Sequence, residues 1–302
     1  MINKINFSSK FKLCFSISSI LFFISIGLIF FKGLNLGVDF KGGTVIEIRL
    51  ANTNVAIGDL RDKFDKNIYG DVSIKEFGNT QGDFLVKIEK FENDNNQIEE
   101  IKLNLSQLDP DINFRRVESV GPKVSEELLQ TGILAIAISL GAMLFYIWMR
   151  FEWQFSLGSI TALFHDVIIT LGIFSLFAIE MNLSIVAAIL TIVGYSMNDT
   201  VVIYDRIREN LIKYSKLNIS ETSDLSINET LSRTLITSIT TLLALLSIFI
   251  LGGEILRGFS FALILGVVIG TYSSIFIASP VLKFLKVSHR TMLKETDDKI
   301  VP

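Results

Sequence analysis

Leu13–Phe31 reads LCFSISSILFFISIGLIFF, nineteen residues without a charge. At about 1.5 Å per residue, a helix of this length just crosses the ~30 Å hydrocarbon layer of a bilayer. Lys4, Lys10 and Lys12 precede the run and Lys32 follows it. It is longer than the apolar core of a secretory signal, and no small-x-small site closes it. It is therefore expected as a retained span rather than a cleaved leader.

Outward from this run the texture changes. Half of the 302 residues are hydrophobic, 24 of them Phe, and only 20% are charged. The charges crowd into residues 33–127, with 18 acidic against 12 basic side chains, while the rest of the chain carries 13 against 16. Five further apolar stretches follow, at 130–149, 157–179, 183–204, 234–251 and 258–282. The chain is thus expected to be a six-span helical membrane protein with one folded insertion after the first span.

Within the insertion, Thr44–Leu50, Val72–Phe77, Asp83–Glu89 and Ile112–Val120 have strand patterns, with a turn at Gly78–Gly82. Val55–Asn67 and Asn96–Leu105 have helical spacing of apolar residues. The order β-α-β-β-α-β is that of a ferredoxin-like two-layer α/β sandwich. Residues 205–233 read as a polar loop between spans four and five, its Ser/Thr/Asn-rich middle, 215–228, expected to be mobile.

Basic residues set the orientation. Lys4, Lys10, Lys12, Arg150, Arg206, Arg208, Lys213, Lys216, Arg233, Lys283, Lys286 and Arg290 flank one side of the spans, whereas the short turns on the other side carry only Arg257. The positive-inside rule then places the N-terminus (1–12) and the C-terminal tail (283–302) in the cytoplasm and residues 33–127 outside.

A single cysteine, Cys14, excludes an internal disulfide, and two distant histidines, His165 and His289, give no metal cluster. No nucleotide loop or nucleophile–base pair is evident, so neither enzyme chemistry nor a cofactor is expected. The basic residues border apolar segments, where membrane orientation accounts for them without nucleic acid.

Polar residues inside the spans are the functional candidates. A charged Asp at mid-span costs roughly 2.5–3.5 kcal/mol on insertion scales, so it must face protein or water or hold a proton. His165–Asp166 sits near the middle of span three, and reads either as interhelical glue or as part of an ion path. Asn198-Asp199-Thr200 lies towards the cytoplasmic end of span four, with Gly194 and Ser196 available for close packing or for water. Arg233 opens span five beside a hydroxyl run in which Thr234, Thr237 and Thr241 share a face. An Asp199–Arg233 pair would reduce the burial cost of both charges. Gly37-Val38-Asp39-Phe40-Lys41-Gly42-Gly43-Thr44 leads from the first span into the first strand. A strand follows it, not a helix, so a phosphate loop is excluded and Gly37, Gly42 and Gly43 are expected as a hinge. Gly266 and Gly270 give a GxxxG spacing in the last span.

These motifs together resemble the SecD/SecF family of protein-export membrane proteins, on its SecF side. The resemblance rests on GVDFKGGT (37–44), VGPKVSEELLQTG (120–132), His165–Asp166 with Gly172-Ile173-Phe174, GYSMNDTVVI (194–203), DRIREN (205–210) and NETLSRTLITSITT (228–241). It implies a relation to half of a resistance-nodulation-division transporter and a SecD partner. It further implies work with the SecYEG channel and SecA on a translocating polypeptide at the bacterial inner membrane, driven by the proton-motive force late in translocation. By the same resemblance Asp199 and Arg233 are proton-coupling residues, with a further essential acid in the SecD half. A small-molecule or ion transporter and a non-motor scaffold of the translocon are the other functions considered.

Overall fold

The computed structural model describes residues 5–51, 57–64, 70–76, 82–89, 95–289 and 291. Among the described residues, six helices are long and apolar enough to cross a membrane. They are α1 (Phe11–Phe31), α5 (Pro122–Arg150), α6 (Trp153–Leu176), α7 (Leu183–Lys213), α8 (Ile219–Leu251) and a last span built from α9 (Gly253–Ser273), a π-helical turn (Ser274–Ala278) and α10 (Ser279–Phe284). The chain is an integral membrane protein. α6, α7 and the last span form the interior of the bundle, whereas α1, α5 and α8 turn large apolar side chains such as Phe23, Trp148 and Ile236 outward.

Several boundaries differ from the hydropathy reading. α5 begins at Pro122, an N1 proline with Gly121 as its N-cap, so residues 122–129 project as helix beyond the apolar stretch. α7 and α8 run for 31 and 33 residues, about 46 and 50 Å, well beyond the hydrocarbon thickness. The expected loop 205–233 is therefore helical except at 214–218. Its polar middle is helix because Asn218 and Glu221 form a reciprocal capping box. Thr222, Ser226 and Thr230 bond carbonyls of their own helix, and Asn210 of α7 donates to Ser226 Oγ at 3.0 Å.

The insertion contains β2 (Gly43–Arg49), α3 (Ile57–Arg61), β3 (Val72–Glu76), β4 (Asp83–Ile88), α4 (Asn95–Ser106) and β5 (Asn113–Val120). Its antiparallel sheet has the order β3-β4-β2-β5, as a ferredoxin-like β-α-β-β-α-β sandwich requires. Ile46, Ile48, Val86 and Ile88 alternate towards Leu60, Ile101 and Leu105 of the helices, which gives the domain its own core. The expected helix 55–67 is seen over Ile57–Arg61. Residues 55–56 and 65–67, most of the 78–82 turn, and Arg290 lie outside the described residues.

The insertion is stapled to the bundle. A two-residue strand, β1 (Asn35–Leu36), pairs in parallel with β6 (Glu180–Met181), the link between α6 and α7. The short helix α2 (Val38–Lys41) seats Phe40 close to Gly132 of α5, and Ser125 Oγ of α5 donates to Val38 O at 3.4 Å. Lys87 on β4 forms an ion pair with Glu180. Gly42 and Gly43 have φ of +82° and +124°, and a Cβ on Gly43 would stand 2.4 Å from Ile88 O. Gly37 has an ordinary φ of −79°, but a Cβ there would meet Glu180 Oε1 at 2.7 Å. Positive φ at Gly42 and Gly43 and the close approaches at Gly37 and Gly43 are what require glycine in the segment expected as a hinge.

Candidate functional site

The polar residues of the spans fall into two groups, one turn apart along α7. The first is built around Asp166, whose side chain is fully buried at 0% exposure. His165 Nδ1 lies 2.9 Å from Asp166 Oδ1, while Ser196 Oγ of α7 and Ser273 Oγ of the last span donate to Oδ2 at 2.5 and 2.7 Å. The other ring nitrogen, His165 Nε2, is buried without a partner. His165 also stacks on Tyr272, with 6.5 Å between ring centroids, and the Tyr272 hydroxyl meets Ser18 Oγ of α1 at 2.8 Å. Small residues let these helices approach. A Cβ on Gly270 would stand 2.9 Å from Ser196 Cβ, and one on Gly266 would stand 2.2 Å from Ile192. The GxxxG spacing is the α7 contact of the last span.

The second group surrounds Asp199, three residues beyond Ser196. The side chain is 3% exposed, and its Oδ2 is buried with no hydrogen-bond partner. Thr234 on α8 is also buried, at 2% exposure, with an unpartnered Oγ1. Thr200 is buried and donates to Ser196 O, whereas Asn198 faces outward. Arg233 is exposed on α8, and among the described residues no hydrogen bond or ion pair joins it to Asp199, although its charge reaches the carboxylate. The pairing read from the sequence is therefore one of proximity, not contact. Thr237 donates to Thr234 O at 2.9 Å, and Thr241 accepts from Tyr195 of α7 at 3.4 Å, so the hydroxyl face turns towards α7.

Ser273, Tyr204 and Asp39 were not singled out as site residues in the sequence. Tyr204 is fully buried and donates to Ala278 O in the π-helical turn at 2.8 Å, in space left by Gly158. A phenol five residues after an intramembrane acid was the available signal. Asp39 Oδ2 accepts from the Leu183 amide, which begins α7. Beyond the apolar core, Asp205–Asn210 ties α7 to its neighbours. Asp205 pairs with Arg150, Arg208 lies 3.0 Å from Glu152, and Arg206 binds Glu229 at 2.6 Å.

With this geometry in place, comparison with known proteins gives the family. The model of the protein-export membrane protein SecD/SecF C-terminal region matches residues 100–288, and that of the SecD/SecF GG motif matches 27–53. The chain belongs to the SecD/SecF family. Among curated SecD/SecF relatives, a protein translocase subunit SecF of Cereibacter sphaeroides is 47% identical over 264 residues, covering 84% of this chain and 81% of its own. One from Rickettsia bellii is 46% identical over 288 residues, covering 93% of each. The crystal structure of Thermus thermophilus SecDF, a translocon-associated membrane protein, superposes with a TM-score of 0.83 at 36% identity over 94% of this chain. SecDF in a super-membrane-facing form superposes with a TM-score of 0.71. The present chain spans 39% of the former SecDF chain and 40% of the latter.

Proposed function

We propose that this chain is the SecF subunit of a bacterial Sec export machine. With a SecD partner, it uses the proton-motive force to assist late protein translocation across the inner membrane, acting beside SecYEG and SecA. The observation that carries the proton role is the orphaned, buried Oδ2 of Asp199, with the Arg233 charge within electrostatic reach. An unpaired carboxylate in a low-dielectric site is costly, and a proton or an entering water relieves it. Asp199 lies 16 residues from Leu183, about 24 Å along α7, so it is far from the insertion yet on the helix whose first amide Asp39 binds. A change at Asp199 that moves α7 is thereby passed to the domain through Asp39, β1–β6 and Lys87–Glu180. The membrane potential supplies about 2.3 kcal/mol per charge per 100 mV, which is enough to bias two conformations.

The partner role is supported by a stripe of small and polar side chains, Ala187, Thr191, Gly194 and Asn198, exposed on α7. Such a face suits another helix better than lipid tails. For orientation, Lys10, Arg150, Lys213 and Lys283 lie at span ends on the side opposite the insertion, which reads as cytoplasmic and makes the insertion periplasmic.

The test uses sealed inverted vesicles carrying the complex, SecYEG and SecA, with an imposed proton gradient. Asp199→Asn and Arg233→Lys should lose the gradient-dependent rise in preprotein uptake while still co-purifying with SecD. Wild-type stimulation in both would rule the reading out, and support that survives collapse of the gradient would favour a scaffold.

A further inference from the structure

Two buried carboxylates occupy the membrane core, and their surroundings are opposite. Asp199 keeps an orphaned oxygen, whereas Asp166 has both oxygens engaged by three partners from α6, α7 and the last span. The α7 donor, Ser196, stands three residues before Asp199, so this knot fixes the height of α7 one turn from the orphaned acid. Five residues beyond Asp199, Tyr204 fixes α7 again through Ala278 O. Between the two attachment points the last span is wound as the π-helical turn Ser274–Ala278, a geometry that recurs at functional sites. The titratable and charged groups on this stretch are His165 on α6, Tyr204 and Asp199 on α7, Arg233 on α8, Tyr272 on α9 and Cys14 on α1, whose carbonyl the Tyr272 hydroxyl meets.

From this arrangement we infer that Asp166 is a positioning residue, not a proton carrier. Through Ser196 and Ser273 it sets the register of α7 against α6 and the last span, and so sets where Asp199 stands when it takes up and releases its proton. The inference rests on the reading of Asp199 as the proton-coupling group. It has a chemical corollary: position 166 must accept hydrogen bonds and need not be charged. An asparagine keeps one oxygen for both serines and turns its amide towards His165, whose Nδ1 accepts once the imidazole proton moves to Nε2. A leucine of similar size leaves the serines and the imidazole without that partner.

The experiment compares Asp166→Asn, Asp166→Leu and Asp199→Asn in the assembled complex, in the same vesicles, with gradient-driven uptake measured across a pH series. Asp166→Asn should stay within about twofold of wild type with an unchanged pH profile, as expected when one hydrogen bond replaces another. Asp166→Leu should assemble with SecD but show the pH of half-maximal stimulation displaced by about one unit, because the environment of Asp199 has changed. Should Asp166→Leu fail to assemble, Ser273→Ala provides the milder cut, with a displacement in the same direction. Asp166→Asn losing stimulation as completely as Asp199→Asn, in a normally assembled complex, would overturn the positioning role and leave Asp199 standing. An unchanged pH profile in whichever of Asp166→Leu and Ser273→Ala assembles would also overturn it. Stimulation that survives Asp199→Asn would instead sink the reading of Asp199 itself.

Discussion

The carboxylate of Asp39, at the root of the insertion, accepts a 2.9 Å hydrogen bond from the backbone amide of Leu183, the first residue of the helix that carries Asp199. Free amides and the positive end of the helix dipole make this a favourable place for an acid. One side chain outside the apolar core thus holds the end of the helix whose interior contains the orphaned carboxylate.

Cutting that contact should uncouple the two. Asn182 remains the N-cap of α7, and losing the added Asp39 hydrogen bond costs about 1 kcal/mol, roughly a factor of five in a two-state balance. Asp39→Ala is expected to lower gradient-driven uptake several-fold in vesicles without lowering SecD association, with Asp39→Asn falling in between. Equal uptake in all three proteins would remove Asp39 from the transmission route.

Two glycines of the bundle should behave oppositely. Gly270→Leu forces atoms into Ser196 and should destabilise the chain by about 1–3 kcal/mol or more, seen as a lower unfolding temperature in detergent. Gly194 has open space where a Cβ would be. Gly194→Leu should leave that temperature unchanged and instead reduce the yield of SecD recovered with the chain, because the new side chain stands on the exposed stripe.

The inserted domain should weaken in acid. Arg49 binds both oxygens of Asp83, at 2.6 and 2.7 Å, and holds that carboxyl below its ordinary range. A depressed folded-state value means stability that is present above the unfolded value of about 4 and is lost as pH falls through the folded value. Asp83→Asn should lose that part of the acid sensitivity in a pH series followed by proteolysis of the domain. An identical acid profile in the variant would show that the pair contributes nothing.

Much of this architecture is legible in the sequence, because charge-free runs and the period of two in Thr44–Leu50 report directly on solvent. The ends of α7 and α8 were not. Hydropathy sees only where lipid stops, whereas Asn218–Glu221 capping and the Asn210–Ser226 bond carry both helices on beyond it. Among the site residues, Asp166 and Asp199 stood out as acids in apolar spans, but their difference did not. It depends on Ser273, 107 positions from Asp166, and on which face of α7 Ser196 occupies. The paired glycines at 42 and 43 already pointed to a tight connection or positive φ, but the approach of Gly43 to Ile88 was not legible because it depends on a strand 45 positions away.

The central claim is that Asp199 is the buried group that binds the transported proton. Infrared difference spectroscopy of the complex in lipid, recorded as pH is stepped, reads it most directly through the C=O stretch of a protonated carboxylic acid. The account predicts a pH-dependent band that is absent in Asp199→Asn and retained in Asp166→Asn. A band that persists unchanged in Asp199→Asn would contradict it.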